Sequence, residues 1–590
     1  MPAYALQWAG PQGQDGRELP SLVNEELEAC TEVQGVGRNK LKQFLFREGV
    51  HSIAQMDYPL RQAYEKYLKD EQNIQQVNRY LLAYDRVKQY SIRQQMQTLA
   101  GRQQCRWQME NQVLFIPYHP DQALAMEFDS VRNKSNMAWD FTRTCPLTLK
   151  EQVFTALNAM IDRYKEPRRR EQMLTGLHCL YDFCTEAGIG DIGKMDGLQT
   201  RQFESYLDGK ASSASRKEQL LPSLNFCRRA VFLQDAEIRW DANVWYLERL
   251  HLPKNRVNPS GSHSSISFLE IADAENRRYA QEYMRYQIGI TGLAVSTIIV
   301  KYEGIRNFLV WLCERGGTAA GCTAGQMDGY IRELQDKRII AKTYNEYLTG
   351  IHQFFRFLTA RGYIEKVPFH LEYYQKKMMP RHHDRSVPAE VCTEMLSKLH
   401  LMPEHLRCMY LHLWCLGLRI SEVCTLKGNA YSMKGQDAWI QVYQIKMKSY
   451  KRIPIAEGLY RIMQVYIKRH GIGPDDYLFT NRDGGAYRSA TFRQQMKKFC
   501  QEQEVEGGGY LFRSHDYRHT VATMLYDSGV SLQGVRDYLG HNYEEMTQQY
   551  LDYMPMKIAR ENEEFFRQPG NSLASCLKEG GKDEGQTHVQ

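Results

Sequence analysis

Along most of the chain apolar residues recur at intervals of three and four, the spacing that one buried face of a helix requires. From residue 388 this pattern runs to Cys415 and then changes. DAWIQVYQI (437–445) and KRIPI (451–455) alternate apolar and polar positions around a short basic turn, which predicts a two-stranded hairpin. Helices are predicted over 489–504, 517–528, 532–539 and 543–550. Upstream, CRWQMENQVLFIPYH (105–119) is aromatic and β-branched and reads as strands.

An internal repeat organises the N-terminal half. Laid over residues 180–209 without gaps, residues 41–70 bring Leu, Phe, Gly, Ile, Met-Asp, Glu and Tyr-Leu into coincidence. Both copies read as a helix, a glycine stop at Gly49 or Gly188, a turn, and a helix ending in Tyr-Leu. A looser third version begins at Ile305. NPSGSHSS (258–265) is a linker by composition, and KKMMPRHHDRSVP (376–388) is a second one with a basic bias. The expected domains are therefore 1–100 (repeat-like helical), 101–145 (strand-rich connection), 146–257 (second helical), 266–365 (third helical), 366–388 (basic linker) and 389–567, with a mobile tail over 568–590.

A chain of 590 residues is too long for one core. With 43% hydrophobic and 25% charged residues its composition is that of an ordinary globular protein. The net charge of +7 permits a polyanionic partner without requiring one. Its 14 cysteines include no C-x-x-C pair, which argues against structural zinc and a disulfide framework and for reduced thiols in a cytosolic setting. The N-terminus lacks the form of a signal peptide, and the longest apolar run, CMYLHLWCLGL (408–418), is too short for a membrane span.

Several residues fall at turns where a solvated charge would not be expected. Arg419 follows a Leu-Gly-Leu stop between two apolar helices, and a buried guanidinium needs an anion, for which Glu422 is the nearest candidate. SHDYRHT opens a helix, with Ser514 as possible cap and His515 and Arg518 on neighbouring helical positions. The hairpin carries Lys446 and Lys448 on one strand face, with Lys451 and Arg452 on the return. Gly540 stops a further helix and leaves His541 at its end, with Tyr550 beyond it. Two arginines can neutralise a phosphodiester and the charge that develops on it, a lysine can protonate a departing oxygen, and such a field with a nearby base makes a tyrosine a nucleophile. Neither a P-loop nor a carboxylate cluster is present, so no cofactor and no metal is expected.

In order and spacing, Arg419 in GLRISEV, the hairpin lysine, HDYRHT, LGH and the tyrosine nine residues past that histidine resemble the tyrosine recombinase (phage integrase) family over most of 388–566. Residues 267–363 look like that family's core-type DNA-binding domain. The resemblance implies a mainly α, multidomain fold: helical DNA-binding domains, then a mixed α/β catalytic domain, mostly α with a small antiparallel sheet. It implies that Arg419 and Arg518 clamp the scissile phosphate, His515 assists proton transfer, His541 supports the phosphate and Tyr550 attacks. Counting back from Pro454 selects Lys446 as the acid, with Lys448 on its face; Tyr553 is a rival nucleophile. The partners implied are double-stranded DNA, a homotetramer on paired sites and accessory transposition proteins, in a bacterial cytoplasm. The expected function is site-specific recombination by a mobile-element integrase through a 3′-phosphotyrosyl intermediate. Relaxation of DNA in the manner of a type IB topoisomerase, or a non-catalytic architectural role, are the other readings.

Overall fold

The computed structural model describes residues 19–110, 112–129, 131, 134–378, 385–540, 563–565 and 567. The chain forms two compact units, residues 1–250 with 265–281, and residues 251–264 with 282–590. No helix among the described residues is long and apolar enough to cross a membrane.

The first unit shows the repeat in three dimensions. In one copy the helix Gly35–Arg47 leads through Gly49 (φ 66°) to a 3-10 turn, Ile53–Gln55, and a helix Tyr58–Lys66 capped by Asp57. In the other the helix Pro167–Glu186 leads through Gly188 (φ 67°) to Ile192–Lys194 and the helix Gly197–Lys210, capped by Asp196. Equivalent positions are buried in both copies: Leu41 with Leu180, Ile53 with Ile192, and Met56 with Met195. The periodicity survives because each copy buries the same face against its own core.

Each of these helical groups ends in a small antiparallel ladder. β1 (Val113–Phe115) pairs with β2 (Ala138–Asp140), and β3 (Val244–Tyr246) with β4 (Ser265–Ser267). Trp139 and Trp245, both fully buried, sit at the centres of the two. Among the described residues of the predicted 105–119 strands, Val113–Phe115 is extended in a sheet; it stops there because Pro117 falls in a 3-10 turn, Ile116–Tyr118, where its missing N–H costs no ladder bond.

The second unit begins with a related arrangement. The helix Val295–Glu314 ends before Gly316 (φ 67°), and Thr323 caps the helix Ala324–Asp336 in a reciprocal capping box before the long helix Ala341–Ala360. The segment expected as a linker over 258–265 is packed instead: Ser260 is buried, its hydroxyl meets Ser489 Oγ at 2.9 Å, and its carbonyl accepts the Ser489 amide at 3.0 Å. Ser489 begins the helix Ser489–Glu502, whose first N–H groups have no partner within the helix, so a polar loop of any composition can be held there. The basic stretch is likewise anchored before residue 379: Lys376 and Asn345 exchange two hydrogen bonds of 2.8 and 2.9 Å.

The C-terminal part packs the helices Ala389–Ser397, Glu404–Leu416, Ile420–Cys424, Glu457–His470, Asp516–Asp527 and Leu532–Leu539 around a three-stranded antiparallel sheet. The strands are β5 (Tyr431–Lys434), β6 (Asp437–Gln444) and β7 (Ser449–Ile455), in that order. The predicted hairpin is thus two strands of a three-stranded sheet whose inward face, Ile440 and Val442 on β6 and Ile453 on β7, joins a core with Met409, Val423 and Met496.

Replacing Leu41 or Leu180 by alanine should each lower the unfolding free energy by about 2–5 kcal/mol, read as a shift in the urea midpoint. Equal penalties at the two sites are the outcome expected of equivalent core positions.

Candidate active site

The helix Glu404–Leu416 is stopped by Gly417 in the left-handed conformation (φ 58°), and the chain turns at Leu418 so that Arg419 becomes the N-cap of the short helix Ile420–Cys424. Arg419 and Glu422 close on each other: the Arg419 amide donates to Glu422 Oε2 at 3.0 Å, and its Nη1 to Oε1 at 2.8 Å. The anion inferred for this arginine is therefore Glu422, at 1% exposure. Beneath the turn, the buried His412 lies 2.7 Å from the Cys408 carbonyl and 2.5 Å from the Tyr431 hydroxyl, tying this helix to the start of β5.

Arg518 reaches the same place from the helix Asp516–Asp527. It is 1% exposed, donates from Nη1 to the Gly417 carbonyl at 2.9 Å, 101 residues away in sequence, and from Nη2 to the Leu539 carbonyl at 2.6 Å. Ser514 does not cap this helix: His515 is the N-cap residue, and no side-chain bond caps it. His515 is exposed to solvent on one side. The covered side of the ring, with His519, Arg518, Arg419 and Arg385 around it, pushes the imidazole down to about 4.

The hairpin differs from its expected geometry. Lys446 and Lys448 are not on a strand face. β6 ends at Gln444, and residues 445–448 form an exposed turn in which Lys448 adopts φ 56°. The lysine that enters the cluster is Lys451 on β7, whose side chain is 6% exposed. Its Nζ lies 3.9 Å from Glu422 Oε2, 3.4 Å from the Tyr538 carbonyl and 3.5 Å from that of Leu539. Burial pushes the ammonium down, Glu422 opposes this, and Arg518 and Arg419 reinforce it, giving about 8. Burial alone would raise the Glu422 carboxyl, but Lys451, Arg419 and Arg518 together hold it below the usual range.

Gln444 is a further member of this cluster, at the end of β6. Its amide donates to the carbonyls of Leu539 (3.2 Å) and Gly540 (3.3 Å), the end of the helix Leu532–Leu539. Gly540 has φ 68°, and a Cβ there would run into the Gln444 amide, so glycine is required twice over. Strand alternation carried the signal for both residues. Lys451 is in phase with Ile453, and Gln444 with Ile440 and Val442, on the inward face.

The structure thus brings together Arg419, Arg518, Glu422, Lys451 and Gln444, with His515 in the same positive field, and leaves Lys446 at the exposed turn. His541, Tyr550 and Tyr553, the predicted helix 543–550 and the tail lie outside the described residues. The array is cationic, pre-assembled around one carboxylate and suited to binding a phosphodiester.

Residues 386–555 match the model of the Phage integrase family. Transposase B from transposon Tn554 of Staphylococcus aureus is 27% identical over 344 residues, covering 57% of this chain and 54% of that protein, so the chain spans about half the length of this relative. A tyrosine recombinase of Pseudothermotoga lettingae is 24% identical over 276 residues, 46% of this chain and 93% of the relative. Among solved structures, the Tn1549 transposon integrase in complex with transposon right end DNA overlays with a TM-score of 0.36 at 17% identity, covering 48% of this chain and 98% of that one.

Burial holds the His412 imidazole at about 4, below its ordinary 6.5. Between these values the unfolded chain binds a proton that the folded chain refuses, so stability falls as pH drops through that window and this group adds no slope above it. Urea midpoints at pH 7 and pH 5 should show the fall, and His412→Gln, neutral throughout, should lose less between the two.

Proposed function

We propose that this chain, whose residues 386–555 are a domain of the phage integrase family, cuts and rejoins double-stranded DNA as the tyrosine-type site-specific recombinase of a mobile element. The observation that carries the reading is the convergence of Arg419 and Arg518, from two separate helix ends, on one pre-assembled cationic array beside His515. Similarity to a transposase of a staphylococcal transposon supports the mobile-element setting.

In this mechanism the arginines neutralise the scissile phosphate and the charge that builds up as it becomes pentavalent. Tyr550 Oη attacks phosphorus while its proton passes to a neighbouring base, for which His515 is suited. The bond to the 5′ oxygen breaks, Lys446 donates a proton to that oxygen, and His541 steadies the phosphate. The products are a 3′-phosphotyrosyl link and a 5′-hydroxyl. Because the covalent link stores the energy of the broken bond, a 5′-hydroxyl from a partner strand can reverse the step without ATP. Strand exchange between two sites requires several active subunits, so a homotetramer on paired sites, with accessory transposition proteins, is the assembly proposed. Phosphate contacts would supply most of the affinity, which should then fall steeply with salt.

Covalent trapping tests this. The full chain is incubated with nicked duplexes bearing the ends of its own element, denatured, and resolved for a DNA-linked band. Wild type and Tyr553→Phe should give the band and Tyr550→Phe should not; Arg419→Ala should slow its appearance by about 10²–10³-fold. A band that persists in Tyr550→Phe overturns the nucleophile, and tight DNA binding with no band in wild type overturns the enzyme in favour of an architectural role.

A further inference from the structure

Among the groups with no part in that mechanism, Lys451 is the most heavily constrained. A lysine is rarely buried without a counter-charge, because its ammonium loses several kcal/mol of hydration. Here it is compensated from two directions: Glu422 at 3.9 Å on one side, and the carbonyls of Tyr538 and Leu539 at 3.4 and 3.5 Å on the other. Those carbonyls are the end of the helix Leu532–Leu539, which have no acceptor role within the helix and carry its partial negative charge. Leu539 also accepts from Arg518 and Gln444, so three side chains from β6, β7 and the helix Asp516–Asp527 meet on one oxygen.

We propose that Lys451, assisted by Gln444, is a positioning residue: it ties the Glu422 carboxylate that aligns Arg419 to the Leu539 carbonyl that holds Arg518. Its enclosure keeps it from touching DNA, unlike Lys446 at the exposed turn. It therefore acts through others, setting two phosphate-binding groups in register with each other. This inference rests on the proposed recombinase chemistry for its catalytic consequence, but the tie itself is a property of the protein alone.

The charged groups facing Lys451 are Glu422 and Arg419 from the short helix and its cap, and Arg518 from the helix Asp516–Asp527; β6 contributes the neutral Gln444 and the last helix contributes backbone carbonyls. With an ammonium that titrates near 8, the tie is charged at pH 7 and is lost as pH rises through that value.

The test compares wild type, Lys451→Met and Lys451→Arg. Without DNA, hydrogen exchange should show faster exchange of amides in 532–540 and 418–422 in Lys451→Met and near-wild-type protection in Lys451→Arg. Unchanged protection in Lys451→Met overturns the tie whether or not the wild type cleaves DNA. In the covalent trapping reaction at pH 7, Lys451→Met should be slowed by about 10²-fold, the penalty of a small misplacement. Wild type should lose rate above about pH 8, whereas Lys451→Arg, which stays charged, should not. A substrate with sulfur replacing the 5′ bridging oxygen needs no proton on leaving; if it restores Lys451→Met, Lys451 is itself the acid and the positioning role is overturned. A wild type that forms no adduct while exchange behaves as expected rejects the recombinase reading and leaves the tie standing.

Discussion

The C-terminal part of this protein is organised around one buried carboxylate. Glu422 takes two hydrogen bonds from Arg419, faces the Lys451 ammonium and lies in the field of Arg518. Without it, three cations would be forced together in a water-poor site, and the lysine would shed its proton to relieve the repulsion. Without the cations, the carboxylate would be an isolated buried charge. Each half makes the other tolerable, and the result is a preassembled positive site. Such preassembly is what electrostatic stabilisation of a phosphoryl transition state demands, since little reorganisation remains at the moment of reaction.

The same cluster fixes the position of backbone as well as of charge. Arg518 links the Gly417 turn to the end of the helix Leu532–Leu539, and Gln444 and Lys451 bring the sheet to that same end. Helix termini leave carbonyls unsatisfied, and here one of them becomes the shared acceptor for side chains of β6, β7 and the helix Asp516–Asp527. Gly540 follows directly, in a conformation and at a distance that a side chain would prevent.

Upstream, the protein uses one helical solution more than once. The helix, left-handed glycine, 3-10 turn and aspartate-capped helix around Gly49 recur around Gly188, with a looser relative around Gly316. Each copy has its own buried face, and short ladders centred on Trp139 and Trp245 follow the first two. The proposed recombinase domain therefore stands at the end of a chain built largely of modules of a different kind.

Local chemistry was legible in the sequence by itself. The glycine stops at Gly49, Gly188, Gly417 and Gly540 were readable because only glycine takes up positive φ without strain. The pairing of Arg419 with Glu422 was readable because three residues is the distance across the start of a helix. The ordered arginine, histidine and glycine motifs carried a resemblance to the phage integrase family over most of 388–566, and residues 386–555 match that family's model. Tertiary structure alone decided which polar groups are buried together. Lys446, Lys448 and Lys451 all belong to one basic hairpin; alternation puts Lys451 in phase with Ile453, but only the fold shows that the turn exposes the first two and that the third meets Glu422 and a helix end. Ser260 sits in a stretch with the composition of a linker, and a helix N-terminus hundreds of residues away in sequence holds it in place. Composition and spacing report what a segment can do next to its neighbours; the partner that an unsatisfied carbonyl, amide or charge finally takes is set by which elements the folded core brings within 3–4 Å of it.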